Sequence, residues 1–306
     1  MNKKQITKSI KKISSNLGFQ LVGVSNPYLF YNKPTNLDQW IKDGKHASME
    51  WINNRKEERK NIYSYFPEVK SVISLGYNYF SKYENDNSYK ISNYAWGEDY
   101  HIILKNKLYS IIEHIKDFNE DTKFRVCVDT SPIMEKQWAT RAGLGWIGKH
   151  TNLINPKIGS WFFLGEILLD MELDYDAQFE EDLCGTCTKC IDACPTQALE
   201  EYVLDSNKCI SYLTIEHRNE ISKDLSNNLS DWIYGCDVCQ EVCPWNIKFQ
   251  ETTTDKKFHV KAEIKSMDKN QWNDLNEKKY KKIFKKSAVK RAKFSGIKRN
   301  IDLNKK

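Results

Sequence analysis

The spacing of apolar positions predicts that strands and helices alternate in the first half of the chain. Residues 99–118 predict a helix, because apolar side chains recur there every three or four positions. The same spacing predicts a helix at the N-terminus, which Gly18 would end. Four compact apolar runs predict strands at residues 19–24, 72–79, 124–128 and 161–169. This alternation indicates an α/β domain over residues 1–175.

Beyond residue 175 the pattern changes twice, first to a cysteine-rich region over residues 176–250 and then to a basic, helix-like segment over residues 251–306. Residues 256–306 hold 18 Lys and Arg against five Asp and Glu, a net charge of +13, which leaves −7 for the preceding residues. This uneven charge favours a polyanionic partner, and the simpler alternative is a solvated helix face. We expect the interleaved aromatic residues to be helix core: Tyr280, Phe284 and Phe294.

No apolar run is long enough to span a membrane, since the most apolar stretch, residues 161–169, is short and contains Glu166. The N-terminus is rich in Lys but has no apolar signal core, and an organelle transit peptide is the alternative. We therefore expect a cytoplasmic protein with reduced thiols, and we expect it to be monomeric. Of nine cysteines, eight lie between Cys184 and Cys243, which favours metal binding over disulfides.

The clustered cysteines form two motifs of the kind found in ferredoxin-like domains with two [4Fe–4S] clusters. The first motif is Cys184-x2-Cys187-x2-Cys190-x3-Cys194-Pro195. The second motif is Cys236-x2-Cys239-x3-Cys243-Pro244, with Cys209 upstream. In the bacterial ferredoxin run, the fourth cysteine binds the other cluster.

The exchange of fourth cysteines assigns each thiol to a cluster. One cluster would be held by Cys184, Cys187, Cys190 and Cys243. The other would be held by Cys194, Cys236 and Cys239, completed by the remaining thiol in the region, Cys209. Cys127 lies apart in a predicted strand, and we expect it to be a buried small side chain.

Structural zinc is the alternative for paired Cys-x2-Cys motifs. The first motif places three cysteines more tightly than usual zinc spacing, and both motifs end in Cys-Pro, so we favour iron–sulfur clusters. These clusters would carry electrons. A radical-generating cluster is not indicated, because Gln197 and Asn246 stand where its Cys-x3-Cys-x2-Cys motif would have the third cysteine.

An acceptor site for the electrons is indicated where the strand over residues 124–128 ends and a helix begins. Asp129 stands at this turn and could project into a cleft, although a helix-capping carboxylate is the alternative. Thr130 or Ser131 could also cap the helix. The glycine-rich residues 141–152 would let the backbone approach a ligand closely, but they form neither a dinucleotide fingerprint nor a P-loop.

Several longer motifs follow one another along the chain. They are Trp51…Arg55, YAWGEDYH (94–101), VDTSPIMEK (128–136), RAGLGWIGKHTNLI (141–154), CGTCTKCIDACPTQAL (184–199), GCDVCQEVCPWN (235–246) and FSGIKRN (294–300). In this order they resemble the epoxyqueuosine reductase family. The resemblance covers most of residues 1–250 and returns near residue 300.

The resemblance implies a nitroreductase-like α/β core that binds cobalamin, a ferredoxin-like domain with two [4Fe–4S] clusters, and a helical, basic C-terminal segment. It implies reduction of epoxyqueuosine to queuosine at the wobble position of tRNAs with GUN anticodons, the last step of queuosine formation. Electrons from an unidentified donor would pass through the clusters to give cob(I)alamin. Asp129 matches the family's proposed proton donor, and we expect burial to raise its pKa.

The resemblance also implies site residues. Those expected to line the cobalamin site are Arg55, Tyr94, Asp99, Tyr100, Asp129, Lys149, Thr151, Asn152, Leu153, Ser211 and Asp237. Contacts with tRNA are expected from the basic segment, at Lys281, Lys282, Lys285, Lys286, Lys290, Arg291, Lys298 and Arg299. His101 is expected to be structural or to line the site without binding cobalt, since Leu104 replaces the glycine of the usual corrinoid motif.

Other functions fit parts of this pattern. A reductive dehalogenase also combines a corrinoid with iron–sulfur clusters, but it acts on small molecules and often carries an export signal. A non-enzymatic electron carrier would use the α/β part only to dock a partner. A tRNA-binding protein stabilised by structural zinc would account for the cysteines and the basic segment without redox chemistry.

Overall fold

The structure is a computed structural model, and it describes residues 2–30, 36–83 and 87–305. Its strands are β1 (Leu21–Ser25), β2 (Ser71–Asn78), β3 (Lys90–Ile91), β4 (Phe124–Cys127), β5 (Trp146–Ile147), β6 (Leu153–Ile154), β7 (Phe162–Leu169), β8 (Leu199–Glu200), β9 (Val203–Leu204) and β10 (Trp232–Tyr234).

The helices of the first 175 residues are α1 (Lys3–Asn16), α2 (Leu37–Lys42), α3 (Glu50–Asn53), α4 (Lys56–Lys60), α5 (Ile62–Tyr65), α6 (Tyr100–Lys116) and α7 (Glu135–Arg141). The later helices are α8 (Lys189–Asp192), α9 (Ile210–Ile215), α10 (Lys223–Ser226), α11 (Val238–Glu241), α12 (Pro244–Phe249), α13 (Ala262–Lys265), α14 (Lys269–Asn273), α15 (Glu277–Ile283) and α16 (Lys293–Asn304). Single 3-10 turns cover Pro27–Phe30, Asn93–Ala95, Lys256–Phe258 and Ala288–Ala292.

A four-stranded antiparallel sheet in the order β1-β2-β7-β4 forms the centre of the first region. Its strands are the four that the apolar runs predict, with ends that differ by at most two residues. One face of the sheet packs on α1 and α6, whose buried side chains include Ile10, Leu104 and Leu108. The other face packs on α7 through Trp138. Because helices cover both faces, β7 is buried along nearly its whole length.

The basic segment folds as part of the protein and has a core of its own. Trp272, Phe284 and Val289 are fully buried and pack with Ile233 of β10 and Ile91 of β3. Tyr280 and Phe284 are core residues as expected, and Phe294 is half-buried against them. The mixed helix-and-sheet fold class and the helical C-terminal segment are therefore confirmed. The domain limits at residues 175 and 250 stay predictions.

The last helix is fastened to the cysteine-rich region by buried amide groups. Asn300 Nδ2 donates to the carbonyl oxygens of Thr214 at 2.9 Å and Ile233 at 2.8 Å. These carbonyls belong to α9, whose N-cap is Cys209, and to β10, which leads to Cys236. α16 thus supports both stretches of chain that carry these cysteines. Among the described residues, no helix has both the length and the apolar character that a membrane crossing needs.

Candidate active site

A cavity of about 890 Å³ opens where the sheet end, the cysteine-rich region and the 3-10 turn at Ala288–Ala292 meet. This volume lies near the upper end of small-molecule pockets and suits a large organic cofactor. Its wall is rich in aromatic rings. Tyr100 stacks on Phe163 with the ring centres 4.3 Å apart and the planes 5° apart. The Tyr94 hydroxyl donates to that of Tyr234 at 3.2 Å.

Asp129 lines the cavity in a strained backbone conformation. Its φ of +60° lies in the left-handed region, which costs an L-residue about 1–2 kcal/mol. The backbone N–H of Asp129 donates to Oε1 of Glu135, the first residue of α7, at 2.7 Å. The N-cap of α7 is Met134, and no side chain caps this helix. The capping roles considered for Asp129, Thr130 and Ser131 are therefore wrong.

His101 lies between two carboxylates. Its Nδ1 is 2.8 Å from Asp99 Oδ1, and its Nε2 is 3.0 Å from Asp129 Oδ2. Burial alone would lower the pKa of His101, but the hydrogen bonds to Asp129 and Asp99 outweigh it and raise the pKa to about 9. The imidazole therefore holds its proton at neutral pH. His101 lines the cavity as expected, and neither ring nitrogen is free to bind a metal.

The expected rise in the pKa of Asp129 is wrong for this structure. Burial acts in that direction, but the hydrogen bond and the charge of His101 outweigh it and hold the pKa of Asp129 below its ordinary value. The Tyr100 hydroxyl and the charge of Arg291 act in the same sense as His101. Asp129 is thus ionised beside a protonated His101, and the pair holds one mobile proton.

The first set of cysteines forms one neighbouring group of thiols. Burial raises the pKa of Cys190 to about 11, and the nearby thiols of Cys243 and Cys184 add to the effect. Burial also raises the pKa of Cys243, with Cys184 and Cys187 contributing. Trp146 Nε1–H donates to Cys184 Sγ at 3.4 Å. These four thiols are the set assigned to one cluster.

The second set forms another group, which lies against the cavity. Burial and the nearby thiols of Cys236 and Cys209 raise the pKa of Cys239 well above its ordinary value. Cys209 and Cys194 interact in turn with Cys236. All four of these cysteines line the cavity, and none of the first set does. The cluster held by this second set would therefore adjoin the cavity, and the other would lie farther away.

The spacing of the thiols bears on which kind of metal site they can form. Within the described part of the chain, no three His, Cys, Asp or Glu side chains converge on a single-ion site. A [4Fe–4S] cube instead spreads its four thiolates around four irons. The backbone of the second motif is firmly held between Cys236 and Cys239, since Ser92 Oγ and the Asn93 N–H each donate to the buried carboxylate of Asp237 at 2.6 Å.

Most residues expected to line the cobalamin site do line the cavity. They are Tyr94, Tyr100, Asp129, Thr151, Asn152, Leu153, Ser211 and Asp237. Three others lie outside its lining. Arg55 pairs with Glu58 at 2.9 Å, Asp99 caps α6, and buried Lys149 pairs with Glu201 at 2.5 Å. Asp99 acts on the cavity through His101, whereas contacts of Arg55 and Lys149 with the cofactor stay predictions.

The residues assigned to tRNA divide into three kinds. Arg291 lines the cavity and pairs through two nitrogens with Glu216, at 2.7 and 2.8 Å. Lys298 and Arg299 turn inward, and Arg299 donates to the carbonyl oxygens of Leu213, His217 and Asn219, which indicates a structural role. The exposed members are Lys281, Lys282, Lys285, Lys286 and Lys290.

The sequence patterns did not identify three polar residues at the site. Glu135 lines the cavity, and Glu166 is buried behind it. His150 also lines the cavity; burial and the charge of Lys136 lower its pKa to about 4. His150 Nδ1 accepts the Asn152 N–H, which leaves a buried Nε2–H with no acceptor in the part of the chain that the structure describes. Such a donor can hydrogen-bond to the carbonyl oxygen of an amide side chain of a corrin cofactor.

Comparison with known proteins agrees with this geometry. A family model described as a 4Fe-4S double cluster binding domain matches residues 183–246, and one described as epoxyqueuosine reductase QueG matches residues 59–130. The epoxyqueuosine reductase of Cellulophaga algicola is 43% identical over 96% of this chain and 96% of its own length. The chain belongs to the epoxyqueuosine reductase family.

Other members of the epoxyqueuosine reductase family are also similar. The Escherichia coli enzyme is 37% identical over 94% of this chain and 77% of its own length. A crystal structure of selenomethionine-labelled epoxyqueuosine reductase matches with a TM-score of 0.86 and 25% identity, over 98% of this chain and 80% of the other. An epoxyqueuosine reductase with an epoxyqueuosine-modified tRNA-Tyr stem loop matches at 0.84 with 24% identity over the same shares, which shows the shared fold.

Membership of the epoxyqueuosine reductase family confirms the predicted oxidoreductase. It also confirms the predicted cofactors, two [4Fe–4S] clusters and cobalamin. A catabolic reductive dehalogenase matches with a TM-score of 0.50 and 17% identity over 83% of this chain and 33% of its own, so the likeness is one of fold alone. The electron-carrier and zinc alternatives are wrong.

Proposed function

We propose that this enzyme reduces epoxyqueuosine to queuosine at the wobble position of a tRNA anticodon, the last step of queuosine formation. Relatives that cover nearly the whole chain carry this activity in their names, and a solved relative holds a tRNA stem loop modified with epoxyqueuosine. The observation that carries the proposal is a single cavity. This cavity contains both the proton-bearing pair, His101 and Asp129, and the four thiols of the second set.

The two cysteine sets define the order of electron transfer. The set Cys184, Cys187, Cys190 and Cys243 lies outside the cavity lining, and the cluster that it would hold would receive electrons from the external donor. The other set lines the cavity, and its cluster would deliver the electrons one at a time. Cobalamin, when bound, supplies a strongly reducing cobalt centre for the epoxide. Tyr94, Tyr100, Asp237 and His150 would hold it.

Reduction of an epoxide to an alkene consumes two electrons and two protons and releases water. His101 holds a proton below its pKa of about 9 and passes it to Asp129 Oδ2 across 3.0 Å. Asp129, protonated in this way, donates to the epoxide oxygen as a general acid. Asp99 keeps the imidazole oriented through Nδ1, at 2.8 Å. Asp129 therefore needs no raised resting pKa, because its partner stores the proton.

The basic segment would hold the tRNA backbone. Lys281, Lys282, Lys285, Lys286 and Lys290 are exposed on one stretch of chain that also leads to Arg291 at the cavity. Lysine contacts with phosphates release counterions and give salt-sensitive affinity. Glu216 fixes the guanidinium of Arg291 in place beside the cavity, where it can meet the phosphate next to the splayed-out wobble nucleotide. We also propose that the enzyme is a cytoplasmic monomer that uses tRNAs with GUN anticodons.

Anaerobic turnover tests the proposal. The protein, loaded with clusters and cobalamin and given a strong reductant, is incubated with tRNA that contains epoxyqueuosine. We expect mass spectrometry of the nucleosides to show loss of one oxygen and formation of queuosine. Omission of cobalamin is the matched control and should stop the reaction. Unchanged epoxyqueuosine in the complete mixture would contradict the proposal.

A further inference from the structure

A second pair of acidic residues lies beneath the Asp129 turn and has no role in the steps above. Glu166 stands in the middle of β7, opposite Ser74 of β2 and Cys127 of β4, and it is fully buried. Neither of its carboxyl oxygens receives a hydrogen bond from a donor in the described structure. The group that faces Glu166 is the carboxyl of Glu135.

Two facing carboxyl groups without a donor between them must share a proton. Burial raises the pKa of Glu166 well above its ordinary value, and Glu135 adds to the effect. Burial, followed by the charge of Asp129, raises the pKa of Glu135 to about 7. Lys136 on the same helix acts in the opposite direction.

The other groups around the pair come from four elements. Cys127 on β4 has its pKa raised, mainly by burial, so it stays a neutral thiol. Ser74 on β2 carries a hydroxyl that has no hydrogen-bond partner among the described residues. Arg59 on α4 and Tyr100 on α6 interact with Glu135 through its charge. The pair therefore keeps at least one proton at neutral pH.

Glu135 connects the buried proton with the reaction site. Its side chain lines the cavity, and its Oε1 accepts the backbone N–H of Asp129 at 2.7 Å. The reduction needs two protons, and the pair of His101 and Asp129 holds one. We propose that Glu135 and Glu166 share a proton and that Glu135 delivers it into the cavity as the second proton of the reduction. This inference rests on the proposed function.

The proposal balances the reaction. Both C–O bonds of the epoxide break, a carbon–carbon double bond forms, and two electrons arrive through the clusters. The first proton goes from His101 through Asp129 to the opening oxygen. The second goes from Glu135 to the same oxygen, which leaves as water. When Glu135 is ionised, Glu166 holds the shared proton and can pass it to Glu135, so the pair can act above the pH at which Glu135 alone would have lost its proton.

Infrared difference spectroscopy tests the shared proton without substrate. In the cluster-loaded protein at pH 8, we expect a buried protonated carboxyl band that shifts in D2O. The band should be absent from Glu166→Gln and present in Glu113→Gln, a control at an exposed position on α6. Absence of the band from the unsubstituted protein would overturn the proposal, whatever the turnover assay shows.

The pH profile of turnover tests the delivery. The amide of Glu166→Gln fits the same space and can donate to Glu135, but it holds no spare proton. Relative to the unsubstituted enzyme, we expect this variant to lose about tenfold more turnover at pH 8 than at pH 6, because an acid with a pKa of about 7 is about one-tenth protonated at pH 8. Glu135→Gln should be slow at both pH values. Equal losses of Glu166→Gln at pH 6 and pH 8 would assign Glu166 a structural role and overturn the proposal.

Discussion

At the residue scale, the chemistry of Asp129 depends on His101. Desolvation in the cavity acts to protonate the carboxyl of Asp129, but here the imidazole of His101 holds the proton and the carboxylate stays ionised. The two side chains therefore act as one acid whose proton rests on His101, the group with a pKa of about 9. Asp99 completes this arrangement from the N-cap of α6. The acid is thus formed by residues at the start of α6 and just after the end of β4.

Asp129→Asn should keep cofactor binding and lose most turnover. The amide preserves the shape of the side chain but cannot pass a proton, and general acids contribute about 10²–10⁴-fold. Cobalamin uptake by absorption spectroscopy and turnover of epoxyqueuosine-containing tRNA are measured together. Asp117→Asn, at an exposed position just after α6, is the control and should behave as the unsubstituted enzyme. Rates near those of the unsubstituted enzyme from Asp129→Asn would remove Asp129 from the mechanism.

The sequence indicated part of this site and missed the rest for a physical reason. Asp129 could be identified because a carboxylate directly after a strand tends to lie at a ligand site. Glu166 was visible as a lone acid in the most apolar run of the chain. The role of Glu166 depends on its contact with Glu135, 31 residues earlier, and on the packing of α7 over β7. The apolar periodicity of either segment alone does not predict that contact.

At the element scale, α16 holds the cysteine-bearing loops rather than simply presenting charge. Its amide-bearing face binds carbonyl oxygens of α9 and β10. The strands and α6 were predictable within two residues, because each buries a regular apolar pattern. The pairing of β3 with β10 was not predictable, since it joins two short segments about 140 residues apart.

Asn300→Ala should destabilise the protein and loosen the cluster next to the cavity. Two buried carbonyl oxygens would lose their donor, which costs about 2–4 kcal/mol in the free energy of unfolding. We expect a lower Tm and faster loss of iron under a chelator, with about half of the iron released first. Asn270→Ala, at an exposed position on α14, is the control. An unchanged Tm would show that α16 does not support these loops.

At the scale of the whole molecule, charge is separated between an acidic body and a basic C-terminal segment, with −7 for residues 1–255 and +13 for residues 256–306. The structure places one residue of that segment, Arg291, in the lining of the cavity. The field of the segment would therefore draw a polyanion towards the reaction site rather than to the opposite face. The sequence predicted the charge, but not which lysines stay exposed and which are used in packing.

Charge reversal at Lys281, Lys282, Lys285 and Lys286 should weaken tRNA binding and reduce its salt dependence. Four lost phosphate contacts would lower the slope of log K against log salt concentration by about 3. Fluorescence titrations at several salt concentrations measure the slope. Reversal of Lys3, Lys4, Lys8 and Lys12, which are exposed on α1, makes the same change in net charge and is the control. If the two variants weaken tRNA binding equally, the four lysines of the basic segment act through the net charge of the protein and not through direct phosphate contacts.

The crossed cysteines have a consequence for how the enzyme is made. On the proposed ligand sets, one cube needs Cys243 and the other needs Cys236 and Cys239, so each draws on both motifs. A nascent chain that has emerged from the ribosome only as far as Cys194 can complete neither. Insertion of the clusters must therefore wait until about four-fifths of the polypeptide has been synthesised. A scaffold protein that delivers preformed clusters would then bind a chain whose central sheet has already had time to fold.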